Sequence, residues 1–180
     1  MTAPRLVTDR LVLRPWRPDG DADVAAAYDL YRREEVVRFL GATPQVDASP
    51  EVTRDRLVRY VQRSAEEPDG LGVLAIEADG RAIGTALLTR LPDGDGVQTD
   101  DVEVGWHLHP DHWGHGYATE AARALLEHGF ATLGLAEIHA VAYADNHPSL
   151  AVMQRIGMTR QGSTDRWYGV TMDWWRAARP

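Results

Sequence analysis

The stretch Pro110-Asp111-His112-Trp113-Gly114-His115-Gly116-Tyr117-Ala118-Thr119-Glu120-Ala121 holds residue types at a spacing that could do chemistry. Gly114 and Gly116 stand one residue apart, just ahead of a helical pattern. Glycine adopts backbone angles closed to other residues and lets a ligand approach the main chain. The first amides of a helix lack internal partners and carry partial positive charge. Such a turn can grip a phosphate with main-chain groups alone. The same residues also read as an ordinary tight turn before a helix, because Gly-x-Gly by itself is a weak motif. No Gly-Lys-Ser/Thr follows, which excludes a Walker loop. Thr119 takes the place of the third glycine of a dinucleotide fingerprint, and the motif lies late in the chain.

Three other clusters carry chemical potential. His107, His109, His112 and His115 fall close together with Asp111 among them, and imidazoles suit zinc, nickel or copper. A histidine-rich metal site is therefore one alternative. Asp93, Asp95, Asp100, Asp101 and Glu103 form an arginine-free acidic stretch, either a trap for a cationic amine or a solvated loop. Trp16, Tyr28, Tyr31 and Phe39 could wall a pocket, although helical spacing favours core packing for the two tyrosines. Trp167, Tyr168, Trp174 and Trp175 read mainly as strand packing, with Trp167-Tyr168-Gly169 bordering a groove.

Composition narrows the class. The chain has 180 residues, 44% hydrophobic and 26% charged, enough to bury a core without staples. It holds no cysteine, which removes disulfides, thiolate nucleophiles and cysteine-ligated zinc. All 19 basic residues are arginine, so no lysine serves as a Schiff-base nucleophile or phosphate clamp. A net charge of -8 argues against general affinity for nucleic acid or anionic membranes. No run approaches membrane-spanning length or a signal-peptide core. The expectation is one domain over residues 1–180, cytoplasmic, monomeric or a homodimer.

The elements that must position these residues follow from periodicity and punctuation. Strands are expected over 5–13, 71–78, 82–90, 102–108, 138–143 and 167–175. Helices are expected over 21–31, 34–40, 116–133 and 148–156, with another starting at Ser49-Pro50-Glu51-Val52 and stopped by Pro68-Asp69-Gly70. Ala78-Asp79-Gly80-Arg81 signals a hairpin. Helices alternate with strands while hairpins intervene, so the fold class is α/β with a mixed sheet.

Trp113-Gly114-His115-Gly116-Tyr117-Ala118-Thr119-Glu120-Ala121 resembles the glycine loop of the GNAT acyltransferases, most closely their RimJ/RimL-like branch. Trp113 stands where the wider superfamily usually has Gln or Arg. Thr8-Asp9-Arg10-Leu11-Val12-Leu13-Arg14 resembles the opening strand of that family. Asp101–Leu108, with Glu103 and Gly105, resembles its central strand. Asn146-x-x-Ser149 followed by Arg155-Ile156-Gly157-Met158 resembles its later Asn-x-x-Ser…Lys-Leu-Gly-Phe segment. The four pieces occur in the family's order across nearly the whole chain.

The resemblance implies the acyl-CoA N-acyltransferase (GNAT) fold, with the central strands splayed, and acetyl-CoA as co-substrate. It places the pyrophosphate on the backbone amides of His115, Gly116, Tyr117, Ala118 and Thr119, with Trp113 and Gly114 also among the cofactor-binding residues. Pantetheine would pair with the end of the central strand at Leu108 and His109, with Asn146 offering a donor and an acceptor. The implied reaction is acetyl transfer to a primary amine, a protein N-terminal α-amine or a small molecule, by direct attack in a ternary complex. Glu103 is the candidate base, acting through water, and shares a strand face with Gly105 and His107. By resemblance to the branch, Ser149 is the candidate acid for the thiolate; Met153 stands where many relatives carry a tyrosine and cannot donate a proton, so either Ser149 or a water serves. A non-catalytic coenzyme A sensor with this fold is the remaining alternative.

Overall fold

The computed structural model describes residues 3–67 and 70–179. The Pro68-Asp69 part of the expected helix stop lies outside the described residues. Eight strands form one sheet in the order β1-β2-β3-β4-β5-β6-β8-β7. The strands are β1 (Leu6–Val7), β2 (Val12–Pro15), β3 (Gly72–Ala78), β4 (Arg81–Pro92), β5 (Gln98–Leu108), β6 (Glu137–Ala142), β7 (Thr159–Thr164) and β8 (Met172–Ala178). The helices are α1 (Asp21–Tyr31), α2 (Glu34–Val37), α3 (Pro50–Glu66), α4 (Tyr117–Glu127) and α5 (His147–Arg155). All neighbouring strands are antiparallel except β5 and β6, which run parallel.

Local chemistry explains the borders. At the β3–β4 hairpin, Asp79 (φ 49°) and Gly80 (φ 77°) both take the left-handed angles of a type I′ turn. Ser49 caps α3 by accepting from the Val52 N–H, with Pro50 in the first turn. Each sheet face then covers its own core. Val102, Val104 and Leu108 of β5 turn toward the face that buries Ala121, Ala122 and Leu125 of α4 with Val152 and Met153 of α5. The opposite face packs Ala75 against Ala27, Leu30 and Tyr31 of α1 and Leu57 of α3. Among the described residues, no helix is long and apolar enough to cross a membrane.

Several expected elements are corrected. The strand at 5–13 is two short strands folded into a hairpin, because Thr8 closes a turn on Leu11: Thr8 N–H donates to Leu11 O at 2.9 Å and Thr8 Oγ1 accepts from Leu11 N–H at 3.0 Å. The helix at 34–40 stops at Val37. The helix at 116–133 is α-helical only to Glu127 and continues as a π-helical turn over His128–Thr132. The strand at 167–175 does not form as one piece, since Tyr168 and Gly169 adopt left-handed angles and break the extension. Strand β7 was not expected at all; it lies on the sheet edge with mostly exposed polar residues and lacks an apolar alternation.

Candidate functional site

Gly114 and Gly116 both take left-handed angles, φ 78° and 80°. A side chain on Gly114 would meet nothing within 4 Å, so this turn faces open space. Gly116 is the N-cap of α4, and the first helical bond runs from Glu120 N–H to Gly116 O at 3.0 Å. The amides of Tyr117, Ala118 and Thr119 precede that bond and lie in the partner-free first turn. Their dipoles sum to a positive field at the mouth of the turn.

Two side chains hold the turn in shape. The Trp113 indole N–H donates to Leu108 O at 2.8 Å and ties the loop to the end of β5. Arg10, from the β1–β2 turn, donates from Nη1 to His115 O at 3.0 Å and stacks over Tyr117 at 4.7 Å. Arg10 is paired with Glu120, at 2.7 Å through Nε and 2.6 Å through Nη2. Glu120 also accepts from Thr8 Oγ1 at 2.6 Å and Arg10 N–H at 2.9 Å. The sequence reading treated the turn as working without a cation. Arg10 brings one to it, largely neutralised by Glu120, and its place in Thr8-Asp9-Arg10-Leu11 was the available signal.

The strand leading into the turn has an open edge. His109 N–H bonds Ile83 O at 2.9 Å, so the odd-numbered residues at this end of β5 aim their main-chain groups at β4. Val104, Trp106 and Leu108 therefore aim theirs the other way, toward β6. Among the described residues, β6 pairs with β5 only at Glu103↔His139. Beyond that pair the strands part, and β5 presents the Trp106 and Leu108 groups to the gap. The expected splay is thus present, although Leu108 O is already occupied by Trp113.

Glu103 sits at the last residue before the gap and is 6% exposed. Burial raises its carboxyl from 4.5 to about 7, moderated by a hydrogen bond from Tyr168 and by the charge of Arg63. Tyr168 Oη donates to Glu103 Oε1. Arg63 of α3 is held by Thr89 Oγ1 at 3.0 Å and Arg90 O at 2.8 Å, and Thr89 lies opposite Glu103 on β4. His107 shares the strand face but not the site. Its Nε2 lies 2.8 Å from Tyr31 Oη, which reaches Thr85 Oγ1 at 2.7 Å. Burial depresses His107 to about 3, so it is a neutral, packed group rather than a proton relay.

Across the gap, Asn146 caps α5 by accepting from the Ser149 N–H at 3.4 Å. Ser149 thereby stands in the first turn of α5, half-buried, with its hydroxyl making no hydrogen bond among the described residues. Met153 is 2% exposed and part of the core, which accounts for its apolar character. Tyr143 donates to Gly41 O at 3.0 Å and tilts against Phe39 at 6.3 Å. These contacts tie the segment after β6 to the segment after α2.

The metal alternative does not assemble. The four imidazoles do not converge on one point: His107 meets Tyr31, His109 lies by Asp29 and Asp111, His112 lies edge-on to His109 at 6.2 Å, and His115 stacks on Tyr117. A different trio, Asp101, Glu137 and His139, does converge. However, the Trp174 indole donates to His139 Nδ1 at 3.1 Å, which leaves the proton on Nε2, the nitrogen facing the two carboxylates. A metal ligand needs the reverse arrangement. The acidic stretch is also mostly committed. Asp93 accepts from Asp95 and Val97 N–H groups within its turn, and Asp101 pairs with Arg166 and Trp167.

A mixed sheet parted between its parallel strands, with a glycine turn and helix N-terminus at the mouth, defines the GNAT class of α/β folds. A family model described as acetyltransferase (GNAT) domain matches residues 10–159. The chain belongs to that family and is an acetyltransferase enzyme. It is 30% identical over 158 residues to the uncharacterised N-acetyltransferase p20 of Bacillus licheniformis, covering 87% of this chain and 83% of the relative. Among solved structures, an acetyltransferase from Agrobacterium tumefaciens str. C58 is 28% identical with a TM-score of 0.76, covering 99% and 96% of the two chains. The fold also matches the ribosomal α-N-protein acetyltransferase RimL in complex with coenzyme A. That match has 17% identity and a TM-score of 0.77, over 97% of each chain.

Proposed function

We propose that the protein transfers an acetyl group from acetyl-CoA to a primary amine, as a single domain and as a member of the RimJ/RimL-like branch. One observation carries this reading: the free edge of β5 runs from Glu103 to Leu108, and a single 3-10 turn over Pro110–His112 carries the chain on to Gly114–Gly116. Five residue steps separate Glu103 from Leu108, about 17 Å of extended strand. An extended linear arm fits along that edge, its anionic end at the first amides of α4 and its reactive end beside Glu103. The amides of His115, Gly116, Tyr117, Ala118 and Thr119 would hold the pyrophosphate, with Trp113 and Gly114 shaping the loop, since the Trp113 N–H is already donated to Pro110 O at 3.0 Å. The main-chain groups of Trp106, the Leu108 N–H and the Asn146 amide would guide the pantetheine arm; His109, expected to join them, is turned to β4 by its bond to Ile83 O.

The chemistry then follows from the groups present. A neutral amine attacks the thioester carbonyl, a C–N bond forms, and the C–S bond breaks as the tetrahedral centre collapses. The amine proton passes through water to Glu103, and the departing sulfur takes a proton from Ser149, whose hydroxyl is restored by a proton from solvent as Glu103 releases its own to solvent. A base near neutrality suits this step, since transfer is most effective when the carboxyl titrates near working pH. An α-amine, at about 7.7–8.0, is matched to a carboxyl at about 7; an ε-amine near 10.4 is not. That match favours a protein N-terminus or a weakly basic small amine as acceptor. The RimL likeness supports the same class at the level of fold. Acetyl-CoA turnover across N-terminal peptides and small amines, read by mass spectrometry, tests the proposal. Acetylated α-amines are the expected result, and coenzyme A binding without turnover on any amine would overturn it.

A further inference from the structure

We infer that Tyr168 is a positioning residue for the reaction, its hydroxyl fixing Glu103 at the point where β5 and β6 part. The inference rests on the reading of Glu103 as base. It begins from the backbone: Tyr168 holds φ 61°, a strained position for a residue with a side chain. Three contacts over-determine that conformation. Tyr168 N–H donates to Pro92 O at 3.1 Å, across to the end of β4. Gly169 lies against Gly94, where an added side chain would come within 3.3 Å of Gly94 O. Trp167, fully buried, donates its indole N–H to Asp101 Oδ2 at 3.1 Å. The segment is thus pinned on both sides of Tyr168, and the phenol is delivered onto Glu103 Oε1.

As a donor, the phenol favours the ionised carboxylate. Burial pushes the Tyr168 hydroxyl far up, so it stays protonated and donates. The charged and titratable neighbours of Glu103 are Arg63 from α3, Asp101 and His107 on its own strand face, His139 opposite on β6 and Arg166 beside Tyr168. Arg63 also favours the ionised form, and Asp101 is held by Arg166. His139 is kept neutral by burial, and His107 is neutral within the Tyr31 pair. Tyr168 is therefore the direct hydrogen-bond donor that keeps a buried carboxyl usable as a base.

The test compares full-length protein with Tyr168→Phe and Glu103→Gln. Two readouts are taken: the pH profile of kcat/KM with an accepted amine, expressed per concentration of neutral amine so that the amine's own ionisation is removed, and the titration of the Glu103 carboxyl by carbon-13 NMR. In Tyr168→Phe both the acid limb and the carboxyl titration move up by about one pH unit, while the KM for acetyl-CoA holds. Placing 3-fluorotyrosine, a stronger donor, at position 168 moves both down, which keeps the test alive should the phenylalanine variant fold poorly. Titrations unmoved by either change overturn the inference. A carboxyl titration that shifts while the rate profile stays, with Glu103→Gln still showing the acid limb, removes Glu103 as base and the positioning role with it. That pattern is distinct, because the hydrogen bond would still be seen.

Discussion

Glu103 faces His139 across the register pair that joins β5 to β6 among the described residues, and the sheet opens directly beyond it. The candidate base is therefore placed at the apex of the gap. It is buried by the joined part of the sheet and adjacent to the open part. One strand, β5, connects this apex to the glycine turn.

The burial of Glu103 makes a stability prediction with a definite sign. Its carboxyl is raised from 4.5 to about 7 in the folded chain. The folded state thus holds an extra proton between those values, and that contribution is lost as pH rises through about 7. Glu103→Gln should stabilise the protein by up to about 3 kcal/mol at pH 8 and little at pH 4, while abolishing the acid limb of activity. Thermal unfolding at the two pH values, beside a pH–rate profile, checks both halves.

Gly116→Asp should weaken coenzyme A binding by about tenfold or more, read by calorimetry. Asp tolerates left-handed angles better than most residues, and nothing but Arg10 Nη2 lies near the added carbon, at 3.6 Å. The left-handed angle of Gly116 strains any side chain, so Gly116→Ala, which carries the strain without the charge, is the reference; the further loss in Gly116→Asp reports negative charge where the pyrophosphate sits.

Glu120→Ala removes the acceptor shared by Thr8 Oγ1, Arg10 N–H and the Arg10 guanidinium. The β1–β2 turn and the first turn of α4 should separate. The expected loss is about 2 kcal/mol, a Tm fall of about 4–8 °C, accompanied by a higher KM for acetyl-CoA.

Ser149→Ala should lower kcat by about 100-fold if the hydroxyl protonates the departing sulfur. The hydroxyl makes no hydrogen bond among the described residues, while Asn146 caps α5 through the Ser149 main chain. Stability should therefore change by less than about 0.5 kcal/mol, and the affinity for coenzyme A should hold.

What the sequence disclosed depended on the range of the signal. The glycine turn, the Asp79-Gly80 hairpin and the Ser49-Pro50 helix start are local, and each was legible from a few residues. Glu103 could be placed on β5 with Gly105 and His107 by simple alternation. The hydrogen bond between Glu103 and Tyr168 could not, because it joins residues 65 positions apart through a left-handed loop that interrupts an aromatic run. Strand β7 escaped for the opposite reason: an exposed edge strand has no buried face to imprint a period on its residues. Arg10 belongs to the Thr8–Arg14 segment that resembles the family's opening strand, yet its reach to His115 depends on how the β1–β2 turn folds against α4.

The most direct test of the whole account is a crystal structure of the protein with coenzyme A. The account predicts the diphosphate on the amides of residues 115–119 and the pantetheine along the free edge of Val104–Leu108, its sulfur ending near Glu103 and Ser149. Coenzyme A bound at another surface, with the Gly114–Gly116 turn empty and the gap between β5 and β6 closed, would contradict it.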